Sequence, residues 1–534
     1  MKRLTAFLLI PVLACSLFSG CAKGKKPYIP TGDALYEDGQ DLEEYLAKEE
    51  KIQELTLAYF PDRSMNPLIG NNISNRALFS LIYQGLFSVD SKNTPHPILC
   101  SSYKVSPSGQ TFTYYLDEKA RFSDGSKVTA EDVLATYESA RKSDYYSGRF
   151  TFVNSVSLTN DGGIAFVLTT PYEDFSMLLD VPIVKASERE AKNPLGTGPY
   201  TFQPRVMLEE EVESEAYMTR VENWWCDAKV PATAESVTLI PAATQAQIRD
   251  EFEFSDVGLA VANPMSDSFS DYRCDFELWE VENGVFLYLA CNMSFSDFFK
   301  NDETLRKALT YGVDRETLVR DNYRGMAYPA TLAASPASPY YSQSLAADYA
   351  YDAMKFIDMT GGWKPPKNKD KEPQTLRLLV NSDDSARLRT ARDIAENLTE
   401  LGVPTRTMEY GNTTKTTFKQ VIAAGNYDLY LGQTKLSPNM DLSAFYGWSD
   451  LSRGGLTDKS LSKMCAESLA NSGNHYNLLK DVAEDAKIIP VLFGYFNVYA
   501  ERGLFENLSP SRDNTFFYTM ERTMEDIKIP TDYS

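Results

Sequence analysis

The chain has 534 residues, 43% of them hydrophobic and 12% aromatic, with 53 Lys+Arg against 74 Asp+Glu and a formal net charge of −21. This acid excess argues against nucleic acid as a partner and against broad adsorption to anionic lipid, and the length exceeds what one hydrophobic core organises, so two or three lobes are expected. The 7 cysteines contain no C-x-x-C pair, which leaves no zinc or thioredoxin-like motif. Outside the first 21 residues, Cys100, Cys226, Cys274, Cys291 and Cys465 read mostly as buried small hydrophobes, although an oxidising compartment permits one disulfide. His96 and His475 are the only histidines and neither lies in a metal-spaced cluster, so neither a metal nor another cofactor is expected.

Lys2 and Arg3 precede an apolar run from Leu4 to Leu13, and Leu17-Phe18-Ser19-Gly20-Cys21 has the form of a lipoprotein cleavage box. Residues 1–20 are therefore expected to be a signal peptide, and Cys21 the lipidated N-terminus of an exported protein. Val12-Leu13-Ala14-Cys15 is a competing box, but it leaves a short apolar region. The run is also too short to span a bilayer, which takes about 20 residues. Residues 21–50, ending in DGQDLEEYLAKEE, are polar and acidic and are expected to form a tether. Contact with the membrane is expected through the lipid alone, on the outer face of the cell membrane or in the periplasm.

Leu55 to Phe60 reads as a first strand, broken by Pro61 and followed by Met65-Asn66-Pro67-Leu68; Ala77 to Gln84 reads as a short amphipathic helix stopped by Gly85. Thr111 to Leu116 alternates aromatic and polar residues as a half-buried strand does, a shorter strand-like piece ends at Phe122, and Asp124-Gly125 makes a tight turn. Thr129 and Asp132 have capping-box spacing, opening a helix whose face of Val133, Tyr137 and Ala140 packs back on the two strands. Phe152–Leu158 and Ile164–Thr169 pair as a hairpin through Asn160-Asp161-Gly162-Gly163. Gly196-Thr197-Gly198-Pro199 is a fixed turn, without the spacing or the lysine of a phosphate-cradling loop. Further strands are expected at Val237–Ile240, Val257–Ala262 and Phe286–Ala290. Asp302 is placed to cap a helix with Leu305, Ala308, Leu309 and Val313 on one face, and Asp314 begins a second.

From Leu376 the pattern alternates: strand to Val380, helix Ser385–Leu401 stopped by Gly402, strand Thr405–Tyr410, helix Thr417–Ala424, strand Leu429–Gln433. Such alternation predicts an α/β lobe with a largely parallel sheet. Ligands of such sheets sit beyond the carboxyl ends of the strands, which points at the loop from Gln433 to Tyr446, QTKLSPNMDLSAFY.

Several of these stretches also carry a family likeness. Phe122, Asp124 and Gly125 followed by Thr129-Ala130-Glu131-Asp132-Val133 form an F-x-D-G turn and a T-A-E-D-V helix start, and Asn193 to Tyr200 reads N-P-x-G-T-G-P-Y. Leu305-Arg306-Lys307-Ala308-Leu309 and Val313-Asp314-Arg315 match V-R-x-A-L and I-D-R closely. Asn66-Pro67, Tyr83-Gln84-Gly85-Leu86 with Gln84 for Glu, Pro171-Tyr172-Glu173-Asp174-Phe175, and Arg220 to Trp225, altered by one position, complete the series. In this order, from about residue 51, the chain resembles the extracytoplasmic solute-binding proteins of peptide- and nickel-type ABC importers, family 5. The resemblance implies an α/β, type II periplasmic-binding-protein-like clamp of two lobes with an additional inserted α+β lobe. Lobe I would take residues 51–86, 196–284 and 488–534, with Ile488–Leu492 as its returning strand; the inserted lobe II would be 87–195 and lobe III 285–487. It further implies a non-enzymatic lipoprotein that captures a peptide or peptide-like solute and delivers it to permease subunits and their ATPases, with a lipid-anchored sensor of the same fold as the alternative. A lipid-anchored hydrolase is least favoured, since neither G-x-S-x-G nor H-E-x-x-H occurs.

In the di- and oligopeptide members, the loop corresponding to 433–446 presents an aspartate that pairs with the peptide's α-amino group. Here no acid stands between Gly432 and Asn439, and the nearest positions are Lys435 and Leu436. A buried carboxylate for an ammonium is a charge-assisted bond that a site does not easily do without. Either Asp441 takes the role from a shifted position, or Lys435 meets an anionic group on a different ligand; loss of the aspartate function is expected. Peptide can still pair its backbone with a lobe-edge strand. The candidate ligand-binding residues are Phe60, Asn66, Asn292, Gln433, Lys435, Asn439, Asp441 and Tyr446.

Overall fold

The computed structural model describes residues 55–208, 211–300, 302–413 and 416–529. The expected signal peptide, Cys21 and the acidic tether lie outside them. The architecture is α/β, two lobes with an extra lobe, built on three principal sheets. A four-stranded sheet joins Leu55–Tyr59 in parallel to Ser236–Pro241, then antiparallel to Tyr217–Arg220 and Tyr200–Gln203. A second, wholly antiparallel, runs Cys100–Val105, Thr111–Leu116, Ile164–Leu168, Val153–Leu158. The third runs from Leu259–Ala262 through Ile488–Ala500, Glu277–Cys291, Leu429–Lys435 and Leu376–Asn381 to Thr405–Tyr410, with the last three strands mutually parallel.

The long strands Glu277–Cys291 and Ile488–Ala500 organise this third sheet. They pair antiparallel from Glu277 opposite Ala500 to Ala290 opposite Ile488. Each has one end in each hydrophobic core. Val281, Phe496, Val498 and Ala500 belong to the core that also holds the first two sheets. Phe286 to Cys291 and Ile488 to Phe493, Pro490 excepted, belong to the core of the α/β lobe. Between the cores the register slips: Glu282 faces Tyr495 and Phe286 faces Phe493, so Asn283, Gly284 and Val285 bulge opposite Gly494. A bulge of this kind bends a strand pair and sharpens its twist. Gly284 sits there at φ +80°, its carbonyl accepting from the Leu436 amide at 2.8 Å, and a Cβ on it would lie 2.4 Å from the Leu436 carbonyl oxygen.

Local chemistry accounts for most elements. The Thr129 hydroxyl accepts from the Asp132 amide and the Asp132 carboxylate accepts from the Thr129 amide at 2.9 Å, opening the helix Ala130–Ala140. Val133, Tyr137 and Ala140 are fully buried, with Tyr137 edge-on to Phe166 of the neighbouring strand. The turn 196–199 owes its glycines to close approach: a Cβ on Gly196 would lie 1.9 Å from the Ile82 carbonyl oxygen, and the Gly198 amide donates to that oxygen at 2.8 Å. Cys100, Cys226, Cys291 and Cys465 are buried and Cys274 is half-buried, with no disulfide among the described residues.

Some expectations fail for identifiable reasons. The helix expected at Ala77–Gln84 is two short ones, Ile73–Ala77 and Phe79–Ile82, because the Asn72 side chain caps the first from its own N-terminus. Gly85 stops neither; the Asp180 and Phe87 backbones crowd its Cβ position. The strand-like piece ending at Phe122 reduces to one bridge, Arg121 to Lys127, since the Phe122–Ser126 turn closes on itself. Asp302 does bond the Thr304 amide, but Glu303 occupies the N-cap. The strand expected at Phe286–Ala290 begins at Glu277, in a stretch whose Leu278 and Glu280 are exposed and only Val281 is buried before the bulge.

Gly284→Ala is expected to lower the urea midpoint by an amount equivalent to about 1–3 kcal/mol, since the left-handed backbone and the contact with Leu436 both oppose a Cβ. Gly503, with φ +73° but open space around it, is the control: its alanine variant loses less.

Candidate functional site

The loop after Leu429–Lys435 stands where the parallel strands end. That strand outruns its neighbour Leu376–Asn381, the last paired residues being Leu431 and Val380. Gln433 and Lys435 therefore project from one face of the strand past that neighbour, while still paired with Leu287 and Val285 of the crossing strand. The Gln433 side-chain oxygen accepts from Arg387 Nη2 at 2.9 Å. Lys435 reaches the other half of the molecule, with Nζ 3.7 Å from the centre of the Tyr145 ring. The halves also meet where Asn93 Nδ2 donates to the Pro438 carbonyl at 3.2 Å, and where the Ser472 amide donates to the Glu173 carboxylate at 3.0 Å.

Around Tyr145 lies a group of charges that the sequence reading did not single out. Asp513, its side chain 2% exposed, accepts from Arg76 Nη2 at 3.1 Å, from the Tyr145 hydroxyl at 2.7 Å and, through its other oxygen, from Arg149 Nη2. Arg149 also donates to Asp180 at 2.5 Å. The Arg76 guanidinium lies 3.4 Å from the Tyr145 ring centre and donates to the Tyr146 hydroxyl at 2.8 Å. Arg512 joins this group to the bulge, donating to Glu282 and, at 2.8 Å, to the Leu436 carbonyl. Buried charges of this kind are tolerated only when paired and hydrogen-bonded.

Every carboxylate here is committed. Asp180 is bonded to Arg149, Asp513 to Arg149, Arg76 and Tyr145, and Glu282 to Arg512. Lys435 has neither an ion pair nor a side-chain hydrogen bond among the described residues; its one close partner is the Tyr145 ring. It stays open to solvent, in a crevice between the halves. Crowding by protein holds its ammonium below the ordinary lysine range, Arg512, Arg149 and Arg76 add to this, and Asp513 opposes it. Burial would raise the Asp513 carboxyl, but Arg149 and Arg76 outweigh it and hold the group far below the usual carboxylate range. Burial pushes Asp180 up, against the pull of its single guanidinium.

The other candidate residues are placed differently. Phe60 is buried at the end of the first strand, its amide and carbonyl both bonded to the Asn75 side chain. Asn66 spends its amide on the Arg189 and Ala191 carbonyls and its oxygen on the Leu68 amide. Asn292 does the same with Gly425, Tyr427 and Phe295, at the far end of the crossing strand. Asn439, Asp441 and Tyr446 follow Lys435 in the loop. Asn439 is fully buried with Nδ2 unpartnered, Asp441 accepts from the Ser443 amide and hydroxyl, and Tyr446 is buried with its hydroxyl unpartnered. Burial raises the Asp441 carboxyl. A surface cavity of about 370 Å³ bounded by Arg249, Phe269, Arg273 and Arg324 shares no residue with the crevice.

The family model for bacterial extracellular solute-binding proteins, family 5, middle region, matches residues 94–455. The glutathione-binding protein GsiB of Escherichia coli O1:K1 / APEC is 25% identical over 307 residues, which are 55% of this chain and 57% of that protein. The match thus spans little more than half of the curated relative. Among solved structures, a putative peptide binding protein, AppA, from Clostridium difficile superposes with a TM-score of 0.66 at 16% identity, covering 87% of this chain and 98% of that one. The ABC transporter substrate binding protein CtaP from Listeria monocytogenes gives 0.66 at 18% identity, with the same coverage. Likeness at this level of identity speaks for the fold.

Asp513→Asn leaves Arg149 and Arg76 without their shared anion and is expected to cost about 3–5 kcal/mol at neutral pH. Because the folded state holds the Asp513 carboxyl below its unfolded value, this stabilisation is complete above the ordinary aspartate range and is lost as pH falls. The difference in Tm between wild type and variant is therefore expected to be widest at pH 7 and to narrow toward pH 3.

Proposed function

Since the chain belongs to the bacterial extracellular solute-binding proteins of family 5, we propose that it captures a peptide or peptide-like solute in the crevice between its two halves. The family is one of binding proteins rather than enzymes. The single observation that carries the reading is the pair of crossing strands: two cores share one antiparallel ladder, and its register slips at Asn283–Val285, between them. A bulged two-strand connection is a hinge in form. Movement about it would part or rejoin the end of the strand Leu429–Lys435 and the Tyr145–Asp513 group, which touch in this structure. The names of the relatives, glutathione-binding and peptide-binding, support a small peptide-like solute.

In this reading Gln433 and Lys435 face the solute, Asn439, Asp441 and Tyr446 back the loop, and Phe60, Asn66 and Asn292 hold backbone in place away from the solute. We take the lobes to divide at about residues 86–87, 195–196 and 284–285, with the return to lobe I at about residues 494–495 rather than 487–488, because Ile488 to Phe493, Pro490 excepted, pack in the core of the α/β lobe. The closed protein hands its solute to membrane permease subunits whose ATPases supply the energy, and lipid on Cys21 keeps it at the extracytoplasmic face of the membrane.

A peptide digest added to the purified protein is expected to raise the unfolding midpoint and to reduce the radius of gyration measured by small-angle scattering. Ligand at a hundredfold over Kd corresponds to about 2.7 kcal/mol of stabilisation. A digest fractionated to exhaustion without either effect would sink the reading. Anchoring is tested separately: Cys21→Ser is expected to move the protein from the membrane fraction to the soluble extracytoplasmic fraction and to abolish incorporation of a labelled fatty acid.

A further inference from the structure

We infer that the solute presents a carboxylate, and not an ammonium, to Lys435, so that this residue sets the charge preference of the crevice. The inference rests on the reading of the crevice as a solute site and names the class of group that it takes.

Four cations, Arg76, Arg149, Arg512 and Lys435, meet three carboxylates, Asp180, Glu282 and Asp513. The guanidiniums consume all three acids. Asp513 takes two of them and a phenol, so it has no strong position left for a ligand ammonium. What remains is an ammonium with three unused N–H donors, lying over an aromatic ring that supplies a weak electrostatic contact and no acceptor. It is open to solvent although protein stands on both sides of it. An ammonium arriving from a solute would face this uncompensated cation at close range. A carboxylate would instead meet donors already held in place, and would relieve the crowding of positive charge that depresses the Lys435 ammonium.

The location couples recognition to the hinge. Leu436, next in the chain, donates its amide to the Gly284 carbonyl and accepts from Arg512, which is bonded to Glu282 in the bulge. Force on Lys435 is thus transmitted through one residue to the strand crossing.

The test uses the soluble mature body and four pools of one peptide digest: unmodified, N-acetylated, C-amidated, and both acetylated and amidated. Binding is read by calorimetry in the wild type, Lys435→Met and Lys435→Arg. The acetylated pool, which keeps the carboxylate and loses the ammonium, is expected to bind at least as tightly as the unmodified one. The amidated pools are expected to bind weakly. Lys435→Met is expected to weaken the acetylated pool by about ten- to a hundredfold without lowering the Tm of the unliganded protein, and Lys435→Arg is expected to retain most of the binding. Wild-type affinity for that pool is expected to fall as pH rises from 7 to 9, as Lys435 loses its proton, and in Lys435→Met to stay flat. Of the groups facing Lys435, Tyr145 is held above this window by burial, Asp513 lies far below it, and Arg76 and Arg149 stay charged throughout. Preference for the amidated pool, or acetylated-pool binding unchanged in Lys435→Met, would overturn the inference while leaving the solute-binding reading intact. Absence of binding by all four pools would overturn that reading, and this one with it.

Discussion

Everything functional in this protein depends on the backbone ladder between Glu277–Cys291 and Ile488–Ala500. Backbone polar groups that leave water must be paired, and chain passing between two cores is hard to satisfy in any other way. Two strands that cross together satisfy each other. They can do so while bent, because the register slips at Asn283–Val285 and again between Leu287 and Tyr288, which keeps the irregularity near the crossing and leaves pairing in step from Glu277 to Glu282 and from Tyr288 to Ala290. Each lobe consequently keeps an undisturbed core, and the strain of any relative movement falls on a segment whose hydrogen bonds are already supplied by side chains: Glu282 to the Gly284 amide and Asn283 to the Val285 amide.

The charged group beside the bulge works on different physics. Taking Asp513 and Asp180 out of water is costly, and their attraction to Arg149 and Arg76 offsets that cost only with the geometry fixed. Such a network contributes little net stability compared with an apolar core of the same volume, but it constrains position strongly. Arg76 comes from the first short helix and Arg149 from the turn before Val153, while Asp513 lies in the C-terminal segment. Misplacing any one of them strands a buried charge. The network therefore locks three distant pieces of chain beneath the crevice, which is where a binding surface has most need of rigidity.

How much of this was legible in the sequence follows from the range of the forces involved. The capping box at Thr129 and the parallel strands after Leu376 rest on neighbours within a few residues, and they stand in the structure where periodicity and caps put them. The helix expected from Ala77 to Gln84 fails because the Asn72 cap, a single side chain, outweighs the periodicity that follows it. Lys435 stood out as a lysine in a loop beyond strand ends. The Arg76–Arg149–Asp513 network did not, since its members are separated by up to 437 residues and no local pattern marks them. The full length of the crossing strands was hidden for a related reason: Glu277 to Glu282 reads ELWEVE, three acids among three apolar residues without strict alternation, and only pairing with a segment more than 200 positions later makes it half of a hinge.

Lys435 and Leu436 illustrate a separation that bears on how such a protein diversifies. Leu436 is bound through its backbone to the bulge and to Arg512, whereas the Lys435 side chain takes part in none of the bonds that hold the fold together. Leu436 also buries its side chain in the core of the α/β lobe, so the adjacent positions carry opposite mutational burdens. A lineage can reverse the charge offered to the solute by a codon change at 435 without renegotiating the fold, so that diet and architecture evolve on separate clocks.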